Sequence, residues 1–229
     1  MIEIQHIKIS FGRRNVLEDI SFQASAGENV VIVGRNGCGK STLLQILAGA
    51  IRPDAGEIRY FGENPLKNRK LFPRYCGYVP QENPLMEDLS VLDNLRLWGF
   101  RKSKPDPVIL DQFGLENLLN RKVSVLAGGM KRRVGIACAA IAHPPVMLMD
   151  EPTTALDICY REEIRKWIRR YQQRGGIVVM TTHEESEIME ATHCLVMNEG
   201  KLYRVTDANR EMGRILSMTR EERENEKHV

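Results

Sequence analysis

The chain has 229 residues, 42% hydrophobic and 28% charged, with 33 basic and 30 acidic side chains for a formal net charge of +3. That length suits one large domain or two small ones, and the composition is that of an ordinary chain able to bury a core. The near-balance of charge gives no electrostatic basis for nucleic-acid binding, and no apolar stretch approaches the ~18–20 residues needed to cross a bilayer.

The opening segment is β-rich. A strand is expected at Ile2–Ile9, directly after Met1, which leaves no room for a signal peptide. A turn at Gly12-Arg13-Arg14, a strand near Ile20–Ala24 and a turn at Ala26-Gly27-Glu28 follow. The apolar run Asn29–Val33 then leads into Gly-Arg-Asn-Gly-Cys-Gly-Lys-Ser-Thr, residues 34–42. This is the phosphate-loop pattern G-x-x-x-x-G-K-[ST] between a strand and a helix, here Lys40 to about Leu47. Gly34, Gly37 and Gly39 free the backbone to turn its N–H groups onto phosphate oxygens, with Asn36, Cys38 and Thr42 in the same loop. The helix dipole favours the same anion, Lys40 supplies a full charge, and the Ser41 hydroxyl is a hard ligand for Mg²⁺. The ligand class is therefore a nucleoside triphosphate with Mg²⁺.

Asp54-Ala55-Gly56 makes another turn before a short strand at Glu57–Tyr60. From about 83 to 142 the pattern changes. Leu89, Leu92, Leu95 and Leu97 fall mostly at helical spacing, and Pro105, Pro107 and Gly114 punctuate short helices, so a helical insert is expected. Beyond His143 strands alternate with helices: Val146–Met149, Arg161–Arg174, Ile177–Thr181, Glu184–Ala191 and Leu195–Met197. Such alternation implies parallel strands with crossover helices. The tail, about 207–229, ends in charged and polar residues and reads as a solvated end. Five cysteines, at 38, 76, 138, 159 and 194, show no metal-ligand spacing and fit a reduced, cytosolic setting. Cys38 is expected to lean towards thiolate, because the loop dipoles surround it.

The strand Val146–Met149 ends in Asp150 and Glu151, whose side chains leave on opposite sides. Asp150 is assigned to the metal and Glu151 to the attacking water as general base.

With Leu126-Ala127-Gly128-Gly129-Met130, the chain resembles the ATP-binding cassette (ABC) ATPases, whose signature is usually written LSGGQ. Other positions match in family order. Gln81 matches the Q-loop, Ala155-Leu156-Asp157 the D-loop, His183 the switch histidine, and Phe11 the aromatic that stacks on adenine. The resemblance runs from about Ile2 to about Val205. It implies a single ABC domain over 1–229: an α/β P-loop NTPase cassette with a RecA-like parallel-sheet core, an N-terminal antiparallel β subdomain and an inserted α-helical subdomain. It also implies that two cassettes pair head to tail around ATP, with Ala127, Gly128, Gly129 and Asp157 facing the partner's nucleotide. Gln81 would join Ser41 and Asp150 at Mg²⁺, and His183 would orient the water with Glu151. A separate transmembrane permease would dock in a groove near Leu85, Met86 and Leu89, on the inner face of the cell membrane.

Lys131, Arg132 and Arg133 lie just inside a helix start, where the dipole disfavours cations. A bound triphosphate nearby, or a solvated basic face, would account for them. Gly-Gly-Met-Lys-Arg-Arg resembles the cassettes of drug, polysaccharide and peptide exporters, which favours export; an importer cassette and a soluble non-transport ABC ATPase are the alternatives. Ala127 replaces the signature serine. That removes a hydrogen bond to a charged group, ~1.5–3 kcal/mol, and an N-cap, ~1 kcal/mol.

Overall fold

The computed structural model describes residues 1–98, 105–154 and 156–205. Strands β1 (Ile2–Phe11) and β2 (Arg14–Ala24) form an antiparallel hairpin, so β2 starts earlier than its apolar core suggests. Along β1 the buried residues are Ile2, Ile4, Ile7 and Ile9. The two-residue rhythm slips once, at His6, whose φ of 52° accompanies a register shift against β2. That bulge returns the isoleucines to the inward face. Next come β3 (Asn29–Gly34), buried throughout, then α1 (Lys40–Leu47) and β4 (Ala55–Tyr60), which pairs with the other edge of β1.

Two elements, α2 (Leu71–Tyr75) and β5 (Cys76–Val79), lie outside the sequence-based expectations, being too short to show a period. The middle of the chain holds α3 (Val91–Leu97), α4 (Pro107–Phe113), single 3₁₀ turns at Glu116–Leu118 and Val123–Val125, and α5 (Gly128–Ala140). Then follow β6 (Val146–Asp150), α6 (Ile158–Gln173), β7 (Ile177–Thr181), α7 (Glu185–Glu190), β8 (His193–Asn198) and β9 (Lys201–Val205). Helix α6 begins three residues before the expected Arg161, because the Asp157 carboxylate accepts from the Tyr160 N–H at 3.0 Å and caps it. Strand β9 was not expected; it pairs antiparallel with β8. The expected tail at 207–229 lies outside the described residues, as does Ala155 of the D-loop match.

One nine-stranded sheet runs β4-β1-β2-β9-β8-β3-β7-β6-β5. Its β8-β3-β7-β6-β5 portion is all parallel, as the alternation of elements required, while β4-β1-β2 is antiparallel. The two portions meet at β2 and β9, which share the single parallel pairing Asp19–Lys201. The parallel strands are apolar on both faces. Val31, Val33, Met147, Met149, Val178 and Met180 enter the core shared with α5 and α6. Their neighbours Val30, Ile32, Val146, Leu148, Ile177 and Val179 enter the core under α1 and the antiparallel strands. A helix-covered parallel sheet needs such continuous apolar runs.

Helix α5 lies hard against β5. A Cβ at Gly77 would run into the Ala139 carbonyl of α5 and come within 2.7 Å of Met147 Sδ. Gly77→Ala must therefore push α5 off the sheet. Such overpacking costs about 1–3 kcal/mol, to be read as a lower urea midpoint with an unchanged denaturant slope.

Candidate active site

The site is assembled by register. In the parallel ladders Ile32 pairs with Thr181, Thr181 with Asp150, and Met149 with Val79. Strands β3, β7, β6 and β5 thus end along one edge, delivering the phosphate loop, Thr182-His183, Asp150-Glu151 and Pro80-Gln81 to it. The crevice beyond the carboxyl ends of such strands is where open α/β sheets bind ligands.

The loop between β3 and α1 depends on glycine. Gly39 caps α1 with φ of 109°, and a Cβ there would sit 2.8 Å from Leu17 Cδ2. Only glycine adopts that conformation without strain. Lys40 is 6% exposed and its ammonium donates to the carbonyls of Gly34 at 2.7 Å and Arg35 at 3.1 Å. An ammonium has three donors, so one remains for a phosphate oxygen beyond those two bonds.

A cleft of about 490 Å³ opens over this loop. Asn36, Gly37, Gly39, Lys40, Ser41 and Thr42 form one wall, with Gln81, Glu151 and His183 also lining it. Phe11, 52% exposed, stands on it with Val16 and Arg14. Arg14 was read only as a turn residue. Its guanidinium donates to the Gly37 carbonyl at 3.1 Å, adding a second cation beside the loop. Its spacing from Phe11 carried no signal, since a hairpin turn had to bring it there. Gly34, Cys38 and Asp150 do not line the cleft, and neither do Ala127, Gly128, Gly129 or Asp157.

The thiolate expectation for Cys38 is corrected. Burial pushes its thiol up, outweighing the pull of the Lys40 charge and of backbone N–H groups. The loop dipoles therefore act on a thiol held in its neutral form. Among the cysteines, Cys159 is the exposed one.

Asp150 is 3% exposed and accepts from the Thr181 hydroxyl at 2.5 Å. The same hydroxyl accepts from the Glu151 N–H at 3.0 Å, and the Thr181 carbonyl accepts from it at 3.1 Å. Glu151 itself has φ of 45°, a left-handed conformation uncommon for a residue with a side chain. Held backbone strain of this kind clusters at functional sites. One Glu151 oxygen accepts from the Thr154 hydroxyl at 3.0 Å; the other lies 3.3 Å from His183 Nε2. Carboxylate and imidazole therefore share one wall of the cleft, close enough to act on one water.

Glu187 is a buried carboxylate that sequence reasoning missed; it hides among four acidic residues between 184 and 190. It accepts from the Thr153 hydroxyl at 2.8 Å and from the Thr182 hydroxyl. It thereby braces the backbone beside His183 against the segment after Glu151.

The signature helix departs from expectation at its cations. Lys131 pairs with Glu87 at 2.6 Å; Arg133 pairs with Glu163 at 3.1 Å and lies over the Tyr160 ring, 4.8 Å from its centre. Arg132 is buried against backbone carbonyls. Neither a nearby triphosphate nor a solvated face is needed to explain them. Ala127 is the N-cap of α5 and makes no side-chain cap bond. Of the three candidate groove residues, Leu85 belongs to the core instead, Leu89 is half-buried, and Met86 is 58% exposed.

Burial raises the Glu187 carboxyl above its ordinary value, with the two threonine hydroxyls opposing. The folded state therefore holds this proton more tightly than the unfolded chain. The linked stability is complete below the ordinary carboxylate value and is lost as pH rises through the raised one. Glu187→Gln removes that dependence, so its stability relative to the parent should be lowest at acid pH and improve towards pH 8. Urea unfolding of both proteins at pH 5 and pH 8 checks this.

A family model described as ABC transporter matches residues 17–154. The chain is 38% identical over 208 residues to a Nod factor export ATP-binding protein I of Paraburkholderia xenovorans, covering 87% of this chain and 68% of that one. It is 33% identical over 222 residues to a sulfate/thiosulfate import ATP-binding protein of Agrobacterium fabrum, covering 91% and 64%. A sulfate/thiosulfate import ATP-binding protein of Escherichia coli is 35% identical over 215 residues, covering 88% and 58%. The chain thus spans 58–68% of the length of these relatives. Among solved structures, an ATP-binding subunit of an ABC transporter superposes with a TM-score of 0.83 at 27% identity, covering 97% of this chain and 98% of that one. A dimeric ATP-binding cassette bound to ADP and Pi gives 0.80 at 26%, covering 89% and 97%. The matched region takes in more than half of the residues, including the phosphate loop and the Asp150-Glu151 pair, and the chain belongs to the ABC transporter family as an ATP-binding cassette of the ABC-type ATPases.

Proposed function

We propose that this chain powers a membrane transporter by closing with a second cassette around ATP and opening when the nucleotide is cleaved. One observation carries the reading: Lys40, Ser41, Gln81, Glu151 and His183 line a single cleft with Phe11. Phe11 offers its ring to adenine, and the loop N–H groups and Lys40 hold the phosphates. Glu151 takes a proton from the attacking water while His183 holds that water and the γ-phosphate in line.

Ser41 and Gln81, which line the cleft, would hold Mg²⁺, with the buried Asp150 carboxylate behind them as its charged partner. A hydroxyl, an amide oxygen and a carboxylate are the hard oxygen donors Mg²⁺ takes, the rest of its shell being nucleotide phosphates and water. When bound, Mg²⁺ neutralises charge on the phosphates.

No helix of the described residues is long and apolar enough to cross a membrane. We assign the lipid-spanning work to a separate permease, with this chain peripheral on the inner face of the membrane. Met86 is the remaining exposed apolar candidate for that contact among the three named residues. Export is favoured by the Gly128–Arg133 segment and by the 38% identity to a Nod factor export protein. Import is the second reading, favoured by the 33–35% identities to sulfate/thiosulfate import proteins.

The composite site built on Ala127 lacks the hydroxyl that would reach the partner's γ-phosphate, so a mate with an intact signature would compensate. Glu151→Gln should bind ATP, hold the dimer and lose turnover by at least about a hundredfold. Normal turnover would overturn the general-base assignment. Ala127→Ser should raise ATP turnover by about tenfold, the rate equivalent of one charged hydrogen bond; a steady-state phosphate-release assay decides it.

A further inference from the structure

Arg132 is the fifth residue of α5 and is 5% exposed. All three of its guanidinium nitrogens are bonded to main-chain carbonyls. Nε donates to Pro152 at 3.0 Å, one terminal nitrogen to Pro80 at 2.6 Å and Gln81 at 3.3 Å, the other to Asp150 at 2.8 Å and Glu151 at 3.1 Å. The rigid planar fork matches these five acceptors, which a point-like ammonium could not span. The acceptors come from two separate chain segments, the one after β5 and the one after β6. Burial pulls the guanidinium down to about 10, against the Asp150 and Glu151 carboxylates, so it stays charged at neutral pH.

Burying a charge in this way is costly, and an apolar residue of similar size would satisfy packing alone. The bonds go instead to the backbone that carries Gln81 and Glu151. Glu151 is also the residue with left-handed φ, a conformation that needs outside restraint. Helix α5 also approaches the segment leading to and following Gln81 closely at two points. A Cβ on Gly135 would sit 3.1 Å from Asn83 Oδ1, and Ala139 abuts Gly77 of β5. The helix whose N-terminus carries Gly128 and Gly129 is thus locked, near its start, to the two segments that present Gln81 and Glu151 to the cleft.

We infer that Arg132 is a positioning residue: it sets Glu151 and Gln81 by the seat of α5, so that cleavage over this chain's own phosphate loop requires its signature helix to be in place. This rests on the two-cassette reading, in which that helix grips the nucleotide held by the mate. Arg132 then links the two nucleotide sites through one side chain.

The test uses the complex purified from native membranes through a tag on this chain, with Mg-ATP as the probe. Arg132→Gln and Arg132→Lys are compared with the parent for ATP binding, kcat, KM and thermal midpoint. The expected result is a kcat at least tenfold lower in the Gln variant and intermediate in the Lys variant. ATP binding and KM stay within threefold, and both variants remain folded at the assay temperature although their midpoints fall. A kcat within twofold of the parent overturns the inference. So does a loss of binding that matches the loss of rate, or the failure of both variants to fold, since either makes Arg132 a structural brace. Glu151→Gln run alongside separates the two ideas. If it turns over normally, the general-base reading fails, whereas the Arg132 result speaks to positioning alone.

Discussion

The constraint on which this molecule depends is the shared register of four parallel strands. Because β3, β7, β6 and β5 end within a few residues of one another, four loops far apart in sequence emerge along one edge. Backbone hydrogen bonds enforce that alignment, and the apolar faces of the strands hold it against helices on both sides. A slip of one residue in any ladder would exchange the side chains of the two cores and shift a cleft residue along the edge at the same time. The fold and the site are therefore stabilised by the same interactions.

Around that edge, polar groups work in small relays. The Thr181 hydroxyl serves Asp150 and Glu151 together. Glu187 ties Thr153 to Thr182, next to His183. Arg132 ties the backbone after β5 to the backbone after β6. Each is buried, so each bond is made in a low-dielectric setting where an unmet partner would be expensive. The result is a cleft whose groups, exposed at Gln81 and His183 and largely enclosed at Lys40 and Glu151, are fixed in position from behind.

The antiparallel strands contribute differently. They bring Phe11 and Arg14 to the rim of the cleft from a hairpin that meets the parallel strands through one β2–β9 pairing. The mouth of the site thus comes from strands whose isoleucines share a core with α1 and one face of the parallel strands. The middle helices complete the arrangement by setting α5 against β5, with no side chain at Gly77 to keep them apart.

Local chemistry made much of this legible in the sequence. The glycine spacing of 34–39, the lysine and hydroxyl after it, and an apolar strand ending in Asp150-Glu151 are short-range patterns whose physics needs no neighbours. The parallel core followed from alternating strand and helix segments. What tertiary structure alone decided was environment. Cys38 sits among N–H dipoles, yet burial outweighs them. Arg132 and Arg133 look alike as letters, but one is enclosed by carbonyls and the other lies on an aromatic ring. Glu187 is one acid among several until two threonines enclose it, and Arg14 is a turn residue until the hairpin carries it to the phosphate loop. Sequence spacing reports which groups a segment carries, whereas desolvation and partnership arise between segments that only the folded chain brings together.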